Sequence, residues 1–377
     1  MRLSYLDNLK TFLTIFVVIF HTSIAYGAAG SWIYTDSKSH MVTATVILLT
    51  NFVLVGQSFG LSLFFFISTY FVPWSCDRKG IAKFTLDRLL RIGVPMLIYY
   101  FIIGPTTIWF SNDRMVESLS VFYLRNVLSF HSTFFGPTWF LEALIYFAII
   151  YSMFRQIMNK LKIPNLRRIN FPSHYMLLLL AVGFGMLAFL IRLVYPVGTG
   201  PLELQLGYFP LYTLAMIAGE IAYRNHWLEN LPDKLIHRWV VVAFIATPML
   251  PVALILTGAL HGVVNAQGGW HIQALFYALW EPFLCFGFGL GLLRLFQHRF
   301  DKTTRLSKFA SNHAYAVYVI HPPVVVGFTM LFHQAKTPEI IKFVIVAPLS
   351  VIACFLLASF VRKVISTIPG TSLNFGQ

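Results

Sequence analysis

The side chains able to do chemistry stand out in this chain because their surroundings are apolar. The stretch LDNLKTFLTIFVVIFHTSIAYG, residues 6–27, carries Lys10 near its start and His21 deep inside. At about 100° per residue, their spacing returns both to nearly one helical face, roughly 16 Å apart along the axis. Asp7 and Thr14 fall on that face too. A cation at one membrane boundary and an imidazole further in fit a ligand that enters from that boundary. Ionisable groups inside a span are costly and point to function. Imidazole is the side chain whose unperturbed pKa suits proton transfer near neutrality. His21 therefore reads either as a base or as a core histidine hydrogen-bonded across helices.

A second stretch, FFFISTYFVP (Phe64 to Pro73), is followed by KFTLDRLLRIGVPML (Lys83 to Leu97). Arg88 and Arg91 are three apart and neighbours on a helix, and Asp87 precedes Arg91 by four and can pair with it. These arginines read as a helix start meeting lipid phosphate, or as a clamp for a phosphorylated ligand.

The elements that must position these groups are membrane spans. Of 377 residues, 57% are hydrophobic and 11% charged, where a soluble domain carries about a quarter charged. Phe, Tyr and Trp number 37, 17 and 8, which fits lipid-facing surface and interfacial belts. Stretches near 9–28, 42–73, 90–110, 137–154, 174–195, 205–223, 239–260, 271–293, 311–333 and 340–361 are each long enough to cross a bilayer. The predicted fold is all-α and integral to the membrane, with about ten transmembrane helices. The second stretch is over-long, which calls for a tilt, a kink or an extension beyond the bilayer. Arg2, Lys10 and the AYGAAG segment imitate a signal peptide, but Asp7 in the basic region argues against cleavage.

Lys and Arg in the connections alternate. Alternate connections on one side, with both ends of the chain, hold 22 of the 28, leaving Lys38, Arg114, Arg125, Arg192, Lys336 and Lys342 for the other. This bias predicts that both termini are cytoplasmic. The formal charge of +14 is thus mostly topology, and nucleic-acid binding is not expected. Three dispersed cysteines, Cys76, Cys285 and Cys354, suggest no disulfide framework, and the histidines show no metal-ligand spacing, so no metal is expected. No connection is long enough for a soluble catalytic domain, so a single membrane domain, 1–377, is expected to act in or at the membrane.

Five segments in order, LDNLK with His21 after ten further residues, FFFISTYF, RLLRIGVP, TWFLEALIYF (Thr138 to Phe147) and YAVYVIH (Tyr315 to His321), resemble the acyltransferase family 3 of integral membrane O-acyltransferases. RIGVPML and the late IHPP look most like its glucan-biosynthesis C-type, glucan-succinylating branch. Two positions depart: Lys10 stands where the family has arginine, and Thr69 where it has glycine.

The resemblance implies transfer of an acyl group from cytoplasmic acyl-CoA, acetyl-CoA or succinyl-CoA, to a hydroxyl of an extracytoplasmic or lipid-linked saccharide such as a glucan. No permanently bound cofactor is implied. His21 would be the general base, and Lys10, Arg88 and Arg91 would hold the donor phosphates. Trp139 and Glu142 would stand on the acceptor side, although Trp139 equally suits an interfacial anchor. Glu142 or Glu281 would orient His21 or serve as a buried structural partner, as would Asp7 in support. His321 matches the late histidine of the family, in a catalytic or a structural role. A cell inner-membrane location follows, as does delivery either directly to the acceptor or to a glycan-synthesis partner protein. A secondary transporter or exporter of a glycan or acylated metabolite is the competing class, for which inverted repeats with broken helices would speak.

Overall fold

A computed structural model describes residues 3–36, 43–111, 117–162, 168–259 and 262–366, and among them the secondary structure is helical, with no strand. Arg2, Lys38, Arg114 and Arg167, counted above among the connection charges, lie outside the described residues.

Nine helices among the described residues are long and apolar enough to cross a membrane. They are α1 (Ser4–Ala25), α2 (Ala44–Lys79), α3 (Ile81–Ser111), α4 (Gly136–Lys160), α5 (His174–Arg192), α7 (Asp233–Leu256), α8 (Ile272–Arg299), α9 (Arg305–Leu331) and α10 (Glu339–Val364). The sixth expected stretch forms α6, Phe209–Arg224, which has only 16 residues. The preceding turn is the 3-10 helix Leu206–Tyr208, so this apolar segment is present but its α-helix is shorter than the other nine.

The over-long second stretch is kinked, as its length demanded. Its α-helical hydrogen bonding breaks at Phe71 and resumes over Val72–Lys79, with Pro73 in the first turn of the new segment. Proline has no N–H to continue the ladder. The same cause acts in α3, where the π-turn Leu89–Gly93 precedes Pro95 and the π-turn Tyr99–Ile103 precedes Pro105. A proline cannot bond the carbonyl four residues back, here Arg91 and Phe101, and the helix widens to accommodate it.

The backbone forms two compact units, one of Met1–Leu54, Gly93–Phe140 and Asp301–Gln377, the other of Val55–Ile92 and Leu141–Phe300. In the first, α1 packs against α9 and α10 through Val18, Ala25, Val317, Val325, Cys354 and Ala358, all fully buried. A capping box between Thr304 and Ser307 starts α9, satisfying N–H groups that the first turn would leave orphaned. In the second unit, α5 meets α8 through Ala188, Phe189, Ala274 and Ala278. Small side chains let helices approach where lipid gives no hydrophobic drive between them. A close approach is made at Gly287 of α8, where an added Cβ would sit 2.4 Å from the Trp239 carbonyl oxygen of α7.

Candidate active site

His21 lies on α1, half-buried. The residue that meets it is 300 positions away: Nδ1 of His21 is 2.9 Å from Nε2 of His321 on α9. His321 is wholly buried, and its Nδ1 is 2.6 Å from the Tyr318 carbonyl oxygen. These contacts assign the protons. A carbonyl can only accept, so His321 donates from Nδ1 and, when neutral, offers Nε2 as an acceptor. His21 must then donate from Nδ1, which leaves its own lone pair on Nε2. The arrangement leaves a bare ring nitrogen on one imidazole and places the other as its hydrogen-bond acceptor.

Tyr318 anchors the far end of this chain of bonds. Its hydroxyl donates to the Pro137 carbonyl in the turn that opens α4, and its ring meets Phe140 edge-on at 5.7 Å. Trp139 sits in the same turn and is buried, 8% exposed. A headgroup anchor would present its ring outward; this indole is packed inside the protein.

The connection after α1 covers the imidazole pair. Trp32 stacks on His21 with ring centroids 4.2 Å apart and planes at 16°, and its plane is also nearly parallel to that of His321. Parallel stacking suits an imidazole that gains charge, because the indole face is electron-rich. Farther along the connection, the buried Asp36 accepts from Lys342 of α10 at 2.6 Å and pairs with His333 at 2.7 Å. Its backbone N–H bonds the Ala25 carbonyl. Asp36 thus fixes both ends of the segment that carries Trp32.

The remaining expected site residues have these places. Lys10 lies 3.7 Å from Asp7 on α1, and Thr14 bonds back to the Lys10 carbonyl. In the second unit, Arg88 is half-buried with its guanidinium 5.5 Å over the Phe84 ring, and Arg91 is exposed within the π-turn. Asp87 accepts from Lys79 at 2.5 Å and also feels the charge of Arg91. Gly80, with φ of 78°, turns the chain between Lys79 and α3 and folds the two side chains together.

Glu142 accepts from Tyr146 one turn later at 2.7 Å. Glu281 pairs with Arg192 of α5, both wholly buried. Arg192 also donates to the Gly207 carbonyl and lies against the faces of Tyr208 and Tyr277. Both acids therefore have partners of their own in the second unit, and the side chain bonded to Nδ1 of His21 is a histidine. Thr69, where the resembling family has glycine, returns its hydroxyl to the Phe65 carbonyl of its own helix. A close approach to this stretch is made by Gly219 of α6, where a Cβ would sit 2.4 Å from the Phe66 carbonyl oxygen.

Trp32, Asp36, Lys342 and Arg192 escape sequence reasoning. Trp32 and Asp36 lie outside any helical period, and Lys342 and Arg192 look like ordinary loop-side cations. Among the described residues, no group of three His, Cys, Asp or Glu side chains is placed to hold a metal ion.

A family described as an acyltransferase domain, acyltransferase 3, matches residues 3–359. The chain belongs to the acyltransferase-3 family. It is similar to the glucans biosynthesis protein C of Shigella dysenteriae serotype 1, 23% identical over 362 residues that cover 89% of this chain and 84% of the relative. The protein of the same name from Escherichia coli K12 shows the same identity and coverage. No solved structure matches. Family membership and nine long apolar helices together make the chain a multi-pass membrane acyltransferase, and the His21–His321 pair lies within the matched region.

Proposed function

We propose that this acyltransferase moves an acetyl or succinyl group from acyl-CoA to a hydroxyl of an extracytoplasmic or lipid-linked glycan, with His21 as general base. The observation that carries the reading is the bond sequence from the Tyr318 carbonyl through His321 to Nδ1 of His21, because it leaves Nε2 as the basic atom. As the hydroxyl oxygen attacks the thioester carbonyl, Nε2 takes its proton. The carbon–sulfur bond breaks, and the leaving thiolate collects that proton from the imidazolium. His321 holds the ring in place throughout, and the Trp32 face lies against the charge as it forms.

Lys10, Arg88 and Arg91 are each assigned to donor phosphates, a role that suits ammonium as a point charge and guanidinium as a fork. The bias of Lys and Arg toward alternate connections supports cytoplasmic termini in the cell inner membrane, where acyl-CoA is available to those groups. The similarity to proteins named for glucan biosynthesis supports a glucan as acceptor.

Purified protein in vesicles, given acyl-CoA labelled in the acyl group and a glucan, tests the reading. Label should appear on the glucan in proportion to folded protein. Movement of glycan across the vesicle membrane without any transfer of label would replace the enzyme by a transporter.

A further inference from the structure

The imidazole pair depends on a carbonyl that an ordinary helix would not leave free. In an α-helix the Tyr318 carbonyl would accept from the backbone N–H four residues on. That residue is Pro322, which has no N–H. α9 nevertheless continues as helix through both prolines. Inside a bundle, a carbonyl freed in this way is satisfied by a neighbouring group. Here that group is Nδ1 of His321, at 2.6 Å.

We infer that Pro322 is a positioning residue of the reaction: by withholding the backbone donor, it reserves the Tyr318 carbonyl for His321 and so sets the tautomer in which Nε2 of His321 accepts from His21. The inference rests on the reading of His21 as base. The two consecutive prolines are not equivalent. Pro322 releases the Tyr318 carbonyl, which His321 uses, whereas Pro323 releases the Val319 carbonyl one residue on. A role in merely kinking α9 would belong to both.

Pro322→Ala restores an N–H opposite the Tyr318 carbonyl, and Pro323→Ala restores one opposite the Val319 carbonyl. In Pro322→Ala the side chain of His321 must compete for its acceptor. With acyl transfer measured against both substrates, Pro322→Ala should lower kcat roughly 10- to 100-fold, the scale for losing an outer hydrogen-bond partner, and leave both KM values unchanged. Pro323→Ala should stay near wild type, and in a His321→Leu background Pro322→Ala should lower kcat no further. Equal losses in the two proline variants, or wild-type kcat in Pro322→Ala, would overturn the inference. Independently of any variant's folding, ring nitrogen-15 resonances of His321 in the wild-type protein should show Nδ1 protonated and Nε2 bare; the opposite tautomer overturns it too. His21→Ala run alongside separates the two levels. Activity retained there removes the base itself, while a dead His21→Ala beside a normal Pro322→Ala removes only the role of the proline.

Discussion

The two compact units each bury a polar pair among apolar helices, and the pairs are built on opposite plans. In the second unit, Arg192 and Glu281 are both closed off completely and face opposite charge, with the Gly207 carbonyl and two tyrosine rings around the guanidinium. Its charges are matched to each other, and it joins α5 to α8. In the first unit, His321 is closed off but His21 is only half-buried, and the bonds between them run in one direction toward a nitrogen with an unspent lone pair. A buried charge is therefore not by itself the mark of a site. The mark is asymmetry: a chain of donors and acceptors that ends on a basic atom.

That contrast can be broken from either side. The largest loss is expected from His21→Ala, which should lower acyl transfer about 10²- to 10⁴-fold while donor binding and the amount of folded protein hold. Donor affinity and turnover, each normalised to folded protein, check this. Next in size, Arg192→Met should cost about 3–5 kcal/mol of stability, because it leaves the Glu281 carboxylate buried without its cation. Arg192→Met with Glu281→Leu should recover most of that loss, since an apolar pair has no charge to strand. Thermal unfolding in detergent measures both, and turnover per folded molecule should stay near wild type. Smaller again is the effect of His321. Replacing it by Leu should lower kcat roughly 10- to 100-fold, as removal of an outer hydrogen-bond partner does elsewhere. His321→Asn, whose side-chain oxygen can accept from His21, should fall less. If Leu and Asn prove equal, His321 is a packing residue and the two pairs are alike after all.

Much of the first unit was legible in the sequence because helical period puts Lys10, Thr14 and His21 on one face, and the structure keeps them on one helix. The late YVIHPP was equally visible. What no period reveals is the partner: His321 meets His21 across 300 residues, and Arg192 meets Glu281 across 89. Local spacing suggested Asp87 for Arg91, whose charge does act on it, but not Lys79, which the turn at Gly80 brings to the same carboxylate. Trp32 and Asp36 were invisible for a different reason. They sit in a connection whose shape is set by a buried ion pair to α10, and a side chain in irregular backbone has no pattern to betray it. The shortness of α6 was not legible, because hydropathy counts apolar residues without registering that the first turn is 3-10.

The central claim is that His21 carries its proton on Nδ1 and its lone pair on Nε2. Nitrogen-15 NMR of histidine-labelled protein in a membrane mimetic reads this directly, with the His21 resonances assigned by their loss in His21→Gln. In the neutral ring, Nδ1 should resonate as a protonated, hydrogen-bonded nitrogen and Nε2 as a bare one. A His21 that carries its proton on Nε2 in the resting protein would contradict the account.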